Sequence, residues 1–186
     1  MRVVPTDLAD VLVVEPDLHY DGRGFFFETY QAEKYRACGI VSTFVQDNQS
    51  KSIRGTVRGL HLQVGRPQAK LVRAIEGEIC DVAVDVRRGS PTFGRWTSVR
   101  LSAENFRQCY VPVGFAHGFA VLSPIAQVEY KCSDFYYPDA EVGIAWNDPA
   151  LAIDWLVQDP LVSDRDRRHP VLSEVLDRLP RFGETG

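Results

Sequence analysis

The chain has 186 residues, 45% of them hydrophobic, which is enough to bury one good-sized core and predicts a single domain spanning residues 1–186. Its formal net charge of −4 gives no long-range attraction for nucleic acid or anionic membranes, so any anionic ligand must be captured by local arginines. Four scattered cysteines, a polar N-terminus and the lack of a run of about 20 apolar residues predict a cytoplasmic protein with reduced thiols.

Short runs rich in Val, Ile, Phe and Tyr recur along the chain, separated by Gly, Pro, Asp and Ser, which is typical of an all-β sandwich or barrel. In 79–86, two aspartates lie at odd-numbered positions, 81 and 85, and three valines at even-numbered ones. Side chains of a strand alternate between its two faces in this way. The predicted strands are 11–15, 24–29, 44–51, 56–63, 69–76, 78–86, 96–101, 107–111, 116–122 and 126–133.

Helical pattern is confined to two short segments. One is 31–37, and the other is 174–179 in the tail, where Ser173 is expected to cap the helix and Pro180 to end it. The stretch from 134 onward is rich in Asp and Pro, which predicts an irregular segment, ordered over the sandwich, followed by the short tail helix.

The predicted strand 56–63 contains the first candidate site residues, Arg58 and His61. Regular alternation separates these two side chains onto opposite faces, unless Gly59 marks a β-bulge that redirects one of them. Because a single histidine is more often structural than catalytic, the functional interpretation depends on its neighbours.

Two further strands carry unusual residues for an apolar setting. Lys70 lies in the apolar run 69–72, where the pattern alone favours a solvated outer face. His117 lies in a glycine-flanked apolar strand. Two histidines in a β-sandwich raise the question of a metal, but Gln63 stands two positions after His61, where a cupin metal site usually has a second histidine. The pattern therefore favours a metal-free site.

Tyrosines cluster where a predicted strand runs into a turn, at Tyr130, Tyr136 and Tyr137. Aromatic residues at such a place usually cover a core, but a phenol can also donate a proton, and a ring can stack on a sugar or a base. The charged run 163–168, which contains Arg165 and Asp166, is by itself typical of a solvated loop.

Taken together and in this order, these motifs resemble the dTDP-4-dehydrorhamnose 3,5-epimerase family. The similarity covers nearly the whole chain, and the matching segments are 21–28, 46–50, 58–61, 68–70, 85–94 and 163–166. The resemblance implies a mainly β fold, a cupin or jelly-roll β-sandwich with a few short helices. It also implies an isomerase that epimerises C3 and C5 of dTDP-4-dehydro-6-deoxy-D-glucose to dTDP-4-dehydro-L-rhamnose, in dTDP-L-rhamnose biosynthesis, without metal or redox cofactor.

The resemblance also assigns catalytic roles. His61 is the implied base that removes a proton next to the C4 ketone, and Asp166 orients its imidazole. Lys70 is expected to stabilise the enolate oxygen, and Tyr130 to return a proton from the opposite face. The implied substrate-binding residues are Arg23, Glu28, Gln46, Asn48, Arg58, His117, Tyr136, Glu141 and Arg165.

Two of these matches carry specific expectations. Tyr136 is placed to stack on the thymine ring. Arg165 stands where the family often has lysine, which keeps the charge but replaces a point charge by a planar fork.

The family resemblance further implies a homodimer in which N-terminal strands add to the partner, so that Arg23 and Glu28 complete the neighbour's pocket.

Three alternatives remain at the level of sequence. Relatives act at C3 alone or C5 alone, a metal-dependent cupin enzyme would use the histidines as ligands, and a non-catalytic sugar-binding jelly roll would share the fold without the chemistry.

Overall fold

The computed structural model describes residues 1–184, and most of its secondary structure lies in two antiparallel sheets. The strands are β1 (Arg2–Pro5), β2 (Leu12–Glu15), β3 (His19–Asp21), β4 (Gly24–Phe26), β5 (Gln46–Ile53), β6 (Thr56–Gln63), β7 (Lys70–Glu76), β8 (Glu78–Asp85), β9 (Trp96–Ser102), β10 (Gln108–Val111), β11 (Phe115–Val121), β12 (Ile125–Cys132), β13 (Glu141–Gly143) and β14 (Leu161–Val162). The helical elements are α1 (Ala32–Ala37) and four 3₁₀ turns, Pro138–Ala140, Asp166–Arg168, Leu172–Glu174 and Leu176–Arg178. The mainly β prediction is confirmed.

The first sheet has the order β1-β2-β10-β7-β12-β5, and the second has the order β13-β6-β11-β8-β9. The short strand β14 adds to β6 in parallel, with Leu161 opposite Thr56. The hairpin β3–β4 pairs only with itself among the residues described. Most neighbours in the sheets are far apart in sequence, so the faces of the sandwich combine residues from distant parts of the chain.

Three apolar layers hold the sandwich together. Between the sheets, Val72, Val128 and Phe119 belong to one buried cluster. The outer face of the second sheet is covered by the C-terminal segment, which contributes Trp155. The outer face of the first sheet is covered by Tyr35 of α1. Burying each large apolar side chain contributes about 1.5–3 kcal/mol, so the irregular C-terminal segment is as much a part of the core as the strands.

The tail corrects one prediction. The run 174–179 is not an α-helix, because two 3₁₀ turns, Leu172–Glu174 and Leu176–Arg178, occupy this part of the tail, and Ser173 makes no capping hydrogen bond there. Prolines at 170 and 180 leave little room for a stable helix between them, and burial of Val175 and Leu179 against the second sheet fixes the short turns instead. The predicted helix at 31–37 is confirmed as α1, where the Gln31 side chain accepts a hydrogen bond from the Lys34 amide. Among residues 1–184, no helix is long and apolar enough to cross a membrane.

Candidate active site

A cleft between the two sheets gathers most of the predicted site residues. Two cavities, of about 310 and 400 Å³, share His61, Lys70, Tyr130 and Arg165 in their linings. The first cavity is also lined by Gln46, Asn48, Tyr136 and Glu141, and the second by Arg58, His117 and Asp166. One wall therefore comes from strands of the first sheet, and the opposite wall from the second sheet and the segment that follows β14.

A β-bulge in β6 brings Arg58 and His61 to the same cavity. Against β11, His61 lies opposite His117 and Arg58 lies opposite Phe119, so three steps along β6 match two steps along β11. Gly59 is the residue that permits this, because its φ is +118° and a Cβ there would lie 2.6 Å from Cα of the neighbouring strand's glycine. The bulge interpretation is confirmed, and the separation expected from regular alternation is wrong.

His61 and Asp166 form a hydrogen-bonded dyad. His61 Nε2 lies 2.9 Å from Asp166 Oδ1, and the Gly59 amide donates to Oδ2 at 3.3 Å. The parallel pairing of β14 with β6 delivers Asp166 to this point, and its amide donates to Ser163 Oγ at 3.1 Å. Burial raises the pKa of Asp166, but the hydrogen bond and charge of His61 outweigh burial and hold that pKa below its ordinary value. The carboxylate is thus ionised and positioned to orient the imidazole, whose Nδ1 makes no hydrogen bond within residues 1–184.

Lys70 and Tyr130 face His61 from the first sheet. Lys70 shares the inner face of β7 with Val72 and Ala74, so the solvated outer position favoured by the sequence pattern is wrong. Burial lowers the pKa of Lys70, with Glu141 among the groups that oppose this shift. Burial likewise raises the pKa of Tyr130, which keeps its phenol protonated at neutral pH. The wall opposite the imidazole therefore offers a buried amino group and a proton donor.

Polar side chains complete the cleft. Gln46 donates to Asn48 Oδ1 at 3.1 Å and accepts from the Tyr136 amide at 2.9 Å, which ties the turn after β12 to β5. Arg165 pairs with the Glu141 carboxylate and reaches the Tyr136 hydroxyl at 3.5 Å. These contacts hold the exposed Tyr136 ring at the mouth of the cavity.

Comparison with known proteins identifies the family. A family model described as dTDP-4-dehydrorhamnose 3,5-epimerase matches residues 5–174. The chain is 55% identical over 170 residues to the dTDP-4-dehydrorhamnose 3,5-epimerase of Pseudomonas aeruginosa, covering 90% of this chain and 94% of that protein. The chain belongs to the dTDP-4-dehydrorhamnose 3,5-epimerase family. This is an isomerase family, and the resemblance inferred from the sequence motifs is confirmed.

Solved structures of epimerases have the same fold. The dTDP-6-deoxy-D-glucose-3,5-epimerase of Legionella pneumophila, solved in complex with dTDP-4-keto-L-rhamnose, superposes with a TM-score of 0.94 at 46% identity, covering 97% of this chain and 98% of that one. A 3′-monoepimerase of Streptomyces bikiniensis, in complex with dTDP-quinovose, gives a TM-score of 0.88 at 37% identity, covering 95% of this chain and 92% of that one. The cupin or jelly-roll prediction is consistent with these structures, and single-centre relatives share the fold.

Two predicted site residues of this epimerase-family chain lie outside the cleft. Arg23 is on the hairpin β3–β4, its side chain is 90% exposed, and its guanidinium pairs with Asp21 at 2.6 Å. Glu28 pairs with Lys34 and lines a different cavity beside α1. Neither residue lines the two cavities around His61, so the chain's own fold does not bring them to the dyad.

Two residues next to the cleft were missed by sequence reasoning. Asp81 Oδ1 lies 2.7 Å from His117 Nε2, so the second histidine also has a buried carboxylate partner. An aspartate within the apolar strand β8 was the available signal for this pair. His169 Nε2 lies 3.2 Å from Asp166 Oδ1, a contact with no signal in the sequence beyond a spacing of three residues.

His61, Asp166 and His169 each offer one ligand atom, and these three atoms lie within 4.8 Å of one another. Both Nε2 atoms approach the same oxygen, Asp166 Oδ1, at hydrogen-bonding separations of 2.9 and 3.2 Å. The arrangement is two imidazoles beside one carboxylate oxygen.

Proposed function

We propose that this member of the family epimerises C3 and C5 of dTDP-4-dehydro-6-deoxy-D-glucose, giving dTDP-4-dehydro-L-rhamnose for dTDP-L-rhamnose biosynthesis. The observation that carries the proposal is the placement of a histidine–carboxylate dyad and a protonated phenol on opposite walls of one cleft. Inverting a carbon centre requires a proton to leave one face and another to arrive at the other face.

The chemistry begins at His61. The hydrogens on C3 and C5 are acidic because both carbons adjoin the C4 ketone, and His61 Nδ1 takes one of them as the C–H electron pair moves into an enolate. The charge of Asp166 stabilises the imidazolium that forms. Lys70 stabilises the negative charge on the C4 oxygen, where an ammonium in a shielded cavity is most effective. The Tyr130 phenol then donates its proton to the opposite face of the carbon.

The remaining cleft residues fit a nucleotide sugar in this proposal. Arg58 supplies a planar donor for the diphosphate and is anchored by its Nε bond to Ser52 Oγ at 3.1 Å. Tyr136 stacks on the thymine ring at the mouth of the cleft. Arg165 takes the position of the family's lysine and contacts the side chains of both Glu141 and Tyr136.

The direct test is solvent exchange. The protein is incubated with dTDP-4-keto-6-deoxyglucose in D₂O, with EDTA and without nicotinamide cofactor, and exchange is followed by NMR. We expect deuterium at both C3 and C5. A parallel sample without EDTA should behave identically, because no proposed step uses a metal. Turnover that EDTA abolishes and zinc or manganese restores would favour a metal-dependent cupin enzyme instead.

The same experiment separates the remaining alternatives. Deuterium at one carbon alone would identify a C3-only or C5-only epimerase, which the fold of the Streptomyces bikiniensis 3′-monoepimerase also accommodates. No exchange, together with retained binding of the nucleotide sugar, would identify a sugar-binding jelly roll.

We also propose that the chain acts as a single domain in the cytoplasm and as a homodimer whose N-terminal hairpin completes the partner's site. The hairpin β3–β4 exposes Tyr20 at 69%, Phe25 at 55% and Phe26 at 68%, and clustered apolar side chains of this kind mark interaction surfaces. Arg23 is carried on the same hairpin and does not line the two cavities around His61. All four cysteines are unpaired within the described residues, which supports a reducing compartment.

A complementation experiment tests the exchange of Arg23. Arg23→Ala and His61→Ala are each expected to be nearly inactive alone. Co-expressed with different tags and isolated as mixed dimers, they should regain activity, because one of the two sites then carries both changes and the other carries neither. Isolated mixed dimers should regain about half of wild-type activity, and an unsorted random mixture about a quarter. No recovery in purified mixed dimers, or a monomer of full activity by gel filtration, would contradict the proposal.

A further inference from the structure

A second imidazole reaches the carboxylate of the dyad. His169 Nε2 lies 3.2 Å from Asp166 Oδ1, the oxygen that also binds His61. The His61 and His169 rings are nearly perpendicular, at 87°, with their centroids 5.5 Å apart. The His169 side chain is 12% exposed and lines neither cavity, so it does not touch the proposed substrate site.

The fold makes room for this ring. Gly143 lies opposite His61 in the pairing of β13 with β6. A Cβ at position 143 would lie 2.2 Å from Cε1 and Nδ1 of His169, so any larger residue would displace the ring. The backbone on both sides is also fixed, since the His169 amide donates to the Asp166 carbonyl at 3.3 Å and the Pro170 carbonyl accepts from Ala145 at 2.8 Å. The position of the ring is therefore built into the fold.

Burial and the neighbouring charges set the protonation state of the His169 ring. The ionisable groups that face His169 are His61, Asp166 and Arg165. Burial lowers the pKa of His169, the positive charges of His61 and Arg165 lower it further, and Asp166 opposes them. His169 is thus a neutral imidazole at neutral pH. Its buried Nε2 has no aligned hydrogen bond within residues 1–184, and Asp166 Oδ1 is the acceptor beside it.

We propose that His169 is a positioning residue, which holds Asp166 against His61 and shares the oxygen on which the His61 proton rests. The inference depends on the proposed role of His61 as the base. A carboxylate oxygen with two imidazole neighbours is more firmly placed than one with a single neighbour. It also attracts the proton of His61 less strongly, because part of its charge is directed to the second ring.

Removal of the second imidazole has two expected effects. In His169→Leu, Asp166 is less fixed, and kcat should fall about tenfold, within the range of coupling found in one hydrogen-bonded network. Asp166 Oδ1 then interacts with His61 alone, so the His61 imidazole stays protonated to higher pH. The acidic limb of the kcat/KM profile should therefore move up by about half a pH unit. In His169→Gln, the side-chain amide again offers an N–H towards the carboxylate, and both effects should be largely reversed.

The experiment compares pH profiles of kcat/KM for the wild type, His169→Leu, His169→Gln and Gly143→Ala, with thermal unfolding and dTDP binding as controls. Gly143→Ala keeps the histidine but pushes its ring away, so it should reproduce the limb shift of His169→Leu. If the rate falls equally at every pH, and if Gln is no better than Leu, the ring only fills space and the proposal is wrong.

A second readout is independent of turnover. NMR titration of the ring resonances of His61 is expected to show a higher midpoint in His169→Leu than in the wild type, and a nearly wild-type midpoint in His169→Gln. An unchanged midpoint in the leucine variant would overturn the inference even if the enzyme is active. If the wild type is inactive but the His61 midpoint still shifts in His169→Leu, the proposed function is wrong, whereas the coupling of the two rings is supported.

Discussion

His61→Ala is expected to lose about 10²- to 10⁴-fold in kcat, the usual effect of removing a general base, while dTDP binding stays close to wild type. The imidazole lines both cavities of the cleft with the Asp166 carboxylate behind it, and its side chain is 27% exposed while that of Asp166 is 6% exposed. Turnover should be measured by NMR with the keto sugar, and dTDP affinity by calorimetry. Circular dichroism should show that the fold is retained.

Chemical rescue provides the control for this variant. Removing the ring leaves space in a cavity of about 400 Å³ that is open to small molecules, so added imidazole should restore part of the lost rate, and an amine too large for the space should not. Turnover within about tenfold of wild type, with the protein folded and saturated, would mean that another group removes the proton.

Tyr130→Phe is expected to lower the rate of inversion by about 10²- to 10⁴-fold, as for loss of a general acid. Its effect on solvent exchange should differ from that of His61→Ala. Because His61 is intact, the variant should still remove and return protons on one face, so that the substrate acquires deuterium with its configuration retained. Tyr130 stands on β12 across the cleft from β6, where a donor for the other face is required.

Tyr110→Phe is the matched control for Tyr130→Phe. Tyr110 is also a buried phenol whose pKa is raised by burial, and it pairs with Ser42 at 2.9 Å on the outer side of the first sheet. It lines neither cavity around His61, so both exchange and inversion should be unchanged in that variant. If Tyr130→Phe inverts at the wild-type rate, or if it loses exchange altogether, the assignment of Tyr130 as the acid is wrong.

The strands from β5 to β12 could be predicted from sequence because local pattern and tertiary structure agree there. The boundary at Gly77 is an example, since its φ is +70° and a Cβ would lie 2.1 Å from the Ile125 carbonyl oxygen. Strands β13 and β14 could not be predicted, because they are two or three residues long and exist through their pairing with β6. The edge that they complete is not encoded in their own residues.

The candidate site also combines features that the sequence pattern predicts with features that only the fold reveals. Lys70 points inwards because its parity matches Val72 on the inner face of β7, but sequence alone could not decide which face of that strand is covered. The Asp81–His117 pair joins residues 36 apart on neighbouring strands. Asp81 is unusual in an apolar strand, but only the register of β8 and β11 identifies its partner. Family motifs grouped His61, Lys70, Tyr130 and Asp166, and the fold brings all four side chains to one cavity, a contact that local patterns do not contain.

The dyad joins residues 105 positions apart, and its carboxylate follows all fourteen strands in the chain. Because translation runs from the N-terminus, the imidazole is synthesised well before its partner, and the dyad is incomplete until the segment after β14 docks. The same docking covers the outer face of the second sheet through Trp155 and Leu172. We therefore expect turnover to appear only when folding is complete, and a protease that cuts after β14 to abolish activity while leaving the strands before the cut in place.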